Sequence, residues 1–350
     1  MKIGNREIGA AHRPYLIAEM SGNHNQSLDR ALEIVDAAAA SGADAIKLQT
    51  YTAETMTLDL HKPDFVIDDT KSLWNGRNLY DLYEEAHTPW DWHAPIMERA
   101  RKHGIDCFSS PFDHTAVDFL ETLGAPAYKI ASFELVDIPL IERVAATGKP
   151  VIMSTGMATV AEIGEAVLAA KRAGATDILL LKCTSTYPAT PENTNLATIP
   201  AMRDTFGCAV GLSDHTMGCG VSVAAVALGA PLIEKHFTLA RADGGVDSAF
   251  SMEPAEFARL REECDRAWQA TGTVTFGGTS AEEGSRVFRR SLYISEDMKA
   301  GDTLTPANLR AIRPGYGLPP KFLTMLLGKR VARDLARGTA ADWSMFTSDE

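Results

Sequence analysis

Between residues 15 and 270, apolar runs of strand length alternate eight times with amphipathic or alanine-rich runs of helix length. Strands are expected at 15–19, 45–50, 106–110, 127–132, 150–155, 177–183, 209–214 and 231–236. Helices are expected at 28–40, 92–103, 114–123, 139–146, 160–173, 196–206, 220–228 and 254–270. Alternation of this kind returns each strand parallel to the one before it across a helix. Eight such units close into a (β/α)8 TIM barrel, an α/β fold. The helices end in SGADA, KHGID, LGAPA, TGKP, AGATD and LGAP, the small glycine-containing stops of short helix-to-strand loops. The competing arrangement, an open doubly wound sheet, places a glycine-rich phosphate loop after its first strand. No such loop follows residues 15–19.

Two segments depart from the alternation. Residues 51–90 separate the second strand from the next helix and carry Trp74, Tyr80, Tyr83 and Trp90. Structureless loops beyond about 12–15 residues are usually functional, so the aromatic content predicts a folded lid over the barrel mouth. After the barrel domain, 1–270, the polar and glycine-rich stretch 271–286 reads as a linker, and 287–350 as a small domain of short strands and tight turns. A core of that size is marginal by itself and would gain from docking.

Composition narrows the function. The chain of 350 residues carries a net charge of −12, against the basic face that nucleic acid or an anionic membrane surface requires. Apolar runs fall short of the roughly 20 residues of a membrane span. The first 14 residues lack the pattern of a signal peptide. Five cysteines without a CxxC pair point to reduced thiols. The expectation is a cytoplasmic protein.

In a barrel of this type the C-terminal strand ends converge on one mouth, where active sites sit. Those ends read Glu19; Lys47 and Gln49; Ser109 and Ser110; Lys129, Ser132 and Glu134; Ser154 and Thr155; Lys182, Thr184 and Ser185; Ser213, Asp214 and His215; Glu234, Lys235 and His236. Lys47 and Lys129 with a ring of hydroxyls, in an acidic chain, describe a pocket for a small dianion such as a phosphate ester. The bland alternative has the two lysines neutralising Glu19 and Glu134. His215 and His236 end neighbouring strands and can share one divalent cation with open positions, which suits Mn²⁺, Mg²⁺ or Co²⁺. Such a cation beside a phosphorylated donor suggests polarisation of a carbonyl. Cys183 is disfavoured as a nucleophile because no histidine lies in sequence reach.

The runs IAEMSGNHNQSLDRAL, GADAIKLQTYTAETMTL, FSSPFD, YKIASFE, STGMAT, LKCTSTYPATPE, GLSDHTMG and EKHF resemble the sialic acid synthase family. The tail SLYISEDMKAGDTLTPANLRAIRPGYGLPPK is similar to that family's antifreeze-like SAF domain, a β-clip fold. Within the family, IAEMSGNHN, the lid WNGRNLYDLYEEAHTPWDWH and the ending DSAFS resemble the pseudaminic acid branch. The resemblance implies condensation of phosphoenolpyruvate with an N-acetylated amino sugar. It implies that Lys47, Ser110, Lys129, Ser132, Ser154, Ser185 and Ser213 hold phosphoenolpyruvate, that His215 and His236 hold the metal, and that Glu19 is the base. Gln49, Glu134, Tyr187 and Asp247 would face the sugar. Ser110 and Ser185 stand where the family often has other residues. Arg313 matches an arginine that reaches the partner's site in a domain-swapped homodimer.

The acceptor implied for this branch, a 2,4-diacetamido-2,4,6-trideoxy sugar, carries a methyl group and a second amide, and so wants apolar walls. Phe112, Phe250, Trp74 and Tyr80 are the candidates. N-acetylneuraminate or legionaminate synthesis is the alternative within the family. A Schiff-base aldolase using Lys47 or Lys129 would leave the two histidines without a task. A glycan- or ice-binding role needs a flat neutral surface, which a tail carrying Lys299, Arg310, Arg313 and Lys321 does not supply.

Overall fold

In the computed structural model, which describes residues 1–347, the chain divides into two compact units, 1–272 and 273 onward. The first is a closed parallel barrel. Its strands are β1 (Tyr15–Glu19), β2 (Ala45–Thr50), β3 (Asp106–Pro111), β4 (Tyr128–Ile130), β5 (Val151–Ser154), β6 (Ile178–Cys183), β7 (Ala209–Ser213) and β8 (Leu232–His236). They pair in chain order, and β8 closes against β1. The connecting helices are α1 (Leu28–Ala40), α2 (Trp90–His103), α3 (His114–Thr122), α4 (Ile138–Ala145), α5 (Val160–Arg172), α6 (Thr198–Phe206), α7 (Gly220–Ala227) and α8 (Pro254–Thr271).

Local chemistry sets these boundaries. Ser27 and Asp113 accept hydrogen bonds from the first turns of α1 and α3, and Thr159 with Glu162 forms a reciprocal cap on α5. Helix α2 stops at Gly104, whose φ of +70° ends the helix in the left-handed region.

Two hydrophobic layers result from the alternation of strand residues. Tyr15, Ile17, Ala45, Phe108, Ile152, Leu179, Leu181 and Leu232 fill the barrel interior. Leu16, Ile46, Leu48, Ile130, Met153, Leu180 and Ile233 face outward into the shell of helices. The register carries the inward set on into the mouth, because parallel partners face the same side: Glu19 stands beside Lys47 and beside His236, and Glu234 beside Ser213. The apolar stack is thus capped by a polar layer.

The lid is folded. A bridge between Val66 and Asn78 closes its loop, and the Asn78 side chain caps a helix, Leu79–Ala86, by accepting from Tyr80 N and Asp81 N. The Trp74 indole donates to Val246 O at 3.0 Å, which ties the lid to the loop after β8.

The second unit has an antiparallel pair, β9 (Ser291–Ile294) with β10 (Leu309–Ile312), and its own core of Leu292, Ile294, Leu304, Leu309, Leu326, Val331 and Met345. A 3-10 segment, Ser280–Phe288, runs from the stretch 271–286 expected as a linker into the start of the small domain. Among the described residues, no helix is long and apolar enough to cross a membrane.

Candidate active site

Strand alternation sorts the polar strand ends into an inner and an outer set. Lys235, one residue from Glu234 and from His236, points out of the barrel and donates to Asp214 Oδ2 at 3.1 Å and to Gly218 O at 3.0 Å. Ser109 also faces outward and bonds Thr50. Inside the mouth, Lys47 Nζ lies 2.6 Å from Glu19 Oε2 and donates to Ser110 Oγ at 3.1 Å. Lys129 Nζ contacts both Glu234 oxygens, at 3.0 and 3.3 Å, and the Ser213 hydroxyl donates to the same carboxylate at 3.0 Å. Lys129 therefore pairs with Glu234 of β8, not with Glu134 four residues beyond its own strand.

These four charges are almost fully buried. Burial would raise Glu234, but Lys129 and Lys47 outweigh it and hold the carboxyl below the usual range. Glu19 has Lys47 as its one close cation and a like charge in Glu234. Burial prevails there and pushes it up to about 7. The two carboxylates share a nest and their environments push them apart, the arrangement by which one fold provides both a permanent anion and a base that titrates near neutrality.

The hydroxyls complete the nest. Ser132 Oγ accepts from Gly156 N at 3.1 Å, and Ser154 Oγ is buried without a partner among the described residues. A Cβ on Gly156 would fall 2.1 Å from Ser185 Oγ and 2.8 Å from Ser132 Oγ, so only glycine lets these two serines close on the same point. Cys183 Sγ lies 3.8 Å from Ser185 Oγ. The expectation that no histidine attends Cys183 is corrected, since barrel closure sets His215 Nδ1 4.0 Å from its sulfur. That nitrogen is also 2.9 Å from Thr184 O, a pure acceptor, so Nδ1 carries the proton and Nε2 is the free nitrogen. The rings of His215 and His236 lie 5.4 Å apart between centroids, and His236 Nδ1 is buried without a hydrogen-bond partner among the described residues, 3.7 Å from Asp247 Oδ2.

Above the nest lies a cavity of about 350 Å³. Trp74, Tyr83, Phe112 and Tyr187 provide aromatic walls, and Ser21, Gln49, Glu134, His236 and Asp247 the polar groups. Burial pushes the Glu134 carboxyl up to about 7, and its Oε2 has no partner among the described residues. Gln49 joins the two compartments by donating to Glu19 Oε1 at 2.9 Å.

Two expected walls are corrected. The Tyr80 hydroxyl donates to Glu54 Oε1 at 2.6 Å on the outer side of the lid, and Tyr83, three residues on, faces the cavity instead. Phe250 is buried at 4.9 Å from the His236 ring centroid and backs that histidine instead of lining the cavity. Trp74 and Phe112 line the cavity. Glu234, Gly156 and Ser21 had no role assigned from sequence; Glu234 carried a signal, its spacing of two from His236 on one strand. Arg313 is exposed just after β10 within the second unit.

Buried charge gathered at the C-terminal mouth of a closed parallel barrel marks an enzyme, and a pair of buried lysines there marks one that takes an anionic small molecule. The chain belongs to the NeuB family, whose model matches residues 34–275, with a SAF domain matching 289–347. It is 44% identical to the pseudaminic acid synthase of Campylobacter jejuni subsp. jejuni serotype O:2 over 97% of this chain and 98% of that one. It is also 44% identical to the pseudaminic acid synthase of Helicobacter pylori, over 93% and 96%. Among solved structures, an N-acetylneuraminic acid synthetase from Leptospira borgpetersenii serovar Hardjo-bovis, in complex with citrate, superposes with a TM-score of 0.73 at 32% identity, over 81% of this chain and 94% of that one.

Proposed function

We propose that this chain is a pseudaminic acid synthase, which condenses phosphoenolpyruvate with 2,4-diacetamido-2,4,6-trideoxy-β-L-altropyranose to give pseudaminic acid and phosphate. The observation that carries the reading is the two-compartment mouth, in which a nest of two buried lysines lies against an aromatic cavity that also carries polar groups. The nest suits the charged donor. The cavity suits an acceptor with a methyl group and two amides.

In the mechanism, Lys47, Lys129 and the hydroxyls of Ser110, Ser132, Ser154, Ser185 and Ser213 hold the carboxylate and phosphate of phosphoenolpyruvate. Gln49, Glu134 and Asp247 orient the open-chain sugar so that its aldehyde carbon faces C3 of the donor. The enol π pair forms the new C–C bond and leaves positive charge at C2, which Glu19 stabilises. The aldehyde π pair moves onto its oxygen. Glu19 takes a proton from the water that adds to C2, and that proton passes on to the alkoxide so formed. The tetrahedral adduct expels phosphate, with which the C2 hydroxyl proton leaves as the ketone forms. A carboxylate raised to about 7 suits a base at neutral pH.

The residues present fit a divalent metal. His215 Nε2 is left free by the Thr184 bond, and the buried His236 Nδ1 has no hydrogen-bond partner among the described residues, with the Asp247 carboxylate at 3.7 Å, which supports these two histidines as the protein's ligands to Mn²⁺, Mg²⁺ or Co²⁺. Among the described residues no group of three or more His, Cys, Asp or Glu is placed to hold a metal ion, so the proposal rests on the two histidines. When bound, such an ion supplies Lewis-acid polarisation of the aldehyde. Arg313 is proposed to complete the partner's site in a swapped homodimer, consistent with its exposure and the family resemblance of the tail. Five free cysteines suit a reducing cytoplasm.

The test is acceptor choice. Sites that hydrogen-bond a second amide reject an analogue lacking it by about 10⁴-fold or more, whereas an apolar wall rejects an added hydroxyl by only about 10²-fold. The kcat/KM for the diacetamido altrose should exceed that for N-acetylmannosamine by at least roughly 10³-fold. Equal rates would move the assignment to another nonulosonic acid synthase of the family.

A further inference from the structure

Ser21 takes no part in the chemistry above, yet its backbone is held where a serine is unfavourable. It follows Glu19 by two residues, opens a short 3-10 turn, Ser21–His24, and is 4% exposed. Its φ is +47°, in the left-handed region that side-chain-bearing residues avoid and glycine enters freely. Strain of this kind persists where the surroundings impose it, and the inference runs from the outlier to a role. Here the hydroxyl supplies one. It donates to the Asp247 carboxylate and accepts from Gln49 Nε2 at 3.1 Å. The same Nε2 donates to Glu19 Oε1 at 2.9 Å. Both amide hydrogens are then committed, and the Gln49 carbonyl oxygen is left as the acceptor the side chain can offer a ligand. Ser21, Gln49 and Asp247 all line the 350 Å³ cavity.

We propose that Ser21 is a positioning residue for the acceptor sugar. Its hydroxyl fixes the Gln49 amide so that the carbonyl oxygen meets a substrate N–H or O–H, and it holds the Asp247 carboxylate in the same wall. Without it, one Gln49 amide hydrogen loses its partner and Asp247 Oδ2 keeps only the His236 ring nitrogen, at 3.7 Å, so both groups can turn toward each other or toward water. The inference rests on reading this cavity as the acceptor site; it does not depend on which N-acetylated amino sugar fills it.

Two variants separate positioning from folding. Ser21→Gly removes the hydroxyl and relieves the left-handed backbone, so a fold that needs only the turn keeps or gains stability. Ser21→Ala removes the hydroxyl with the backbone conformation retained. Steady-state kinetics would be run with the amino sugar that the parent enzyme turns over best, varying each substrate at saturation of the other, alongside thermal unfolding. We expect the KM for the sugar to rise about tenfold in both variants. The KM for phosphoenolpyruvate should stay within about twofold, and the glycine variant, which lacks the same hydroxyl but is free of the left-handed strain, should melt no lower than the alanine variant. An unchanged sugar KM, an equal rise in both KM values, or a glycine variant that melts clearly below the alanine variant would each overturn the proposal. A parent enzyme preferring N-acetylmannosamine would count against the functional assignment alone, since the Ser21 comparison made with that sugar still decides the role of the hydroxyl.

Discussion

Replacing Lys129 by Met leaves the Glu234 carboxylate stranded. Lys129 Nζ lies 3.0 and 3.3 Å from its two oxygens, and the side chains are 3% and 5% exposed, so water cannot take over the role of the ammonium. Lys47 at 3.9 Å and the Ser213 hydroxyl remain, but Lys47 already pairs with Glu19 at 2.6 Å. Removing one partner of a buried pair costs about 3–5 kcal/mol, most of it the penalty of an uncompensated charge. At about 2–4 °C per kcal/mol for a large domain, Lys129→Met should lower the melting temperature by about 6–20 °C. Adding Glu234→Gln removes the stranded charge, so the double variant should recover at least half of that loss despite carrying one more substitution. The assay is thermal unfolding followed by circular dichroism without ligands, because anything that binds only the folded chain shifts the midpoint. A single variant within about 2 °C of the parent, or a double variant melting lower still, would refute the account of the nest as a compensated charge cluster.

Three further outcomes follow from the site. His215→Ala or His236→Ala should abolish turnover, and chelator-treated parent enzyme should regain activity with Mn²⁺ or Mg²⁺; full activity in metal-free buffer would remove the metal from the mechanism. Glu19 must be ionised to act as base, and its carboxyl is pushed up to about 7; kcat/KM should therefore fall tenfold per pH unit below about 7, and a flat profile down to pH 5 would exclude it. The same raised value means that the folded chain keeps a proton which the unfolded chain releases. The stability this group contributes is therefore present at low pH and lost as pH rises from the ordinary carboxylate range to about 7. Mixing Arg313→Ala chains with His236→Ala chains should restore part of the activity; no recovery after demonstrated exchange would place Arg313 outside the partner's site.

The barrel was legible because its cause is local. Helical and strand periods, caps such as Ser27 and Asp113, and glycine stops such as Gly104 are properties of short segments, and eight alternations admit little besides closure. The polar strand ends were legible for the same reason, since the rule that active sites sit at those ends needs only the strand boundaries. Pairing within the mouth was not. Glu134 is near Lys129 in sequence, but Glu234, 105 residues away, is the partner that closure delivers. Whether Glu234 or Lys235 faces inward depends on strand phase, which the register with β7 and β1 sets. Tyr80 and Tyr83 lie on one short helix, and only the docking of that helix decides which ring reaches the cavity. Composition and segment pattern by themselves determined a barrel with a charged mouth and a small appended domain. The tertiary structure decided which charges compensate each other and which side chains line the cavity above them, because those are contacts between strands and loops distant in the chain, and an unexpected backbone angle at Ser21 is visible only where such contacts hold it.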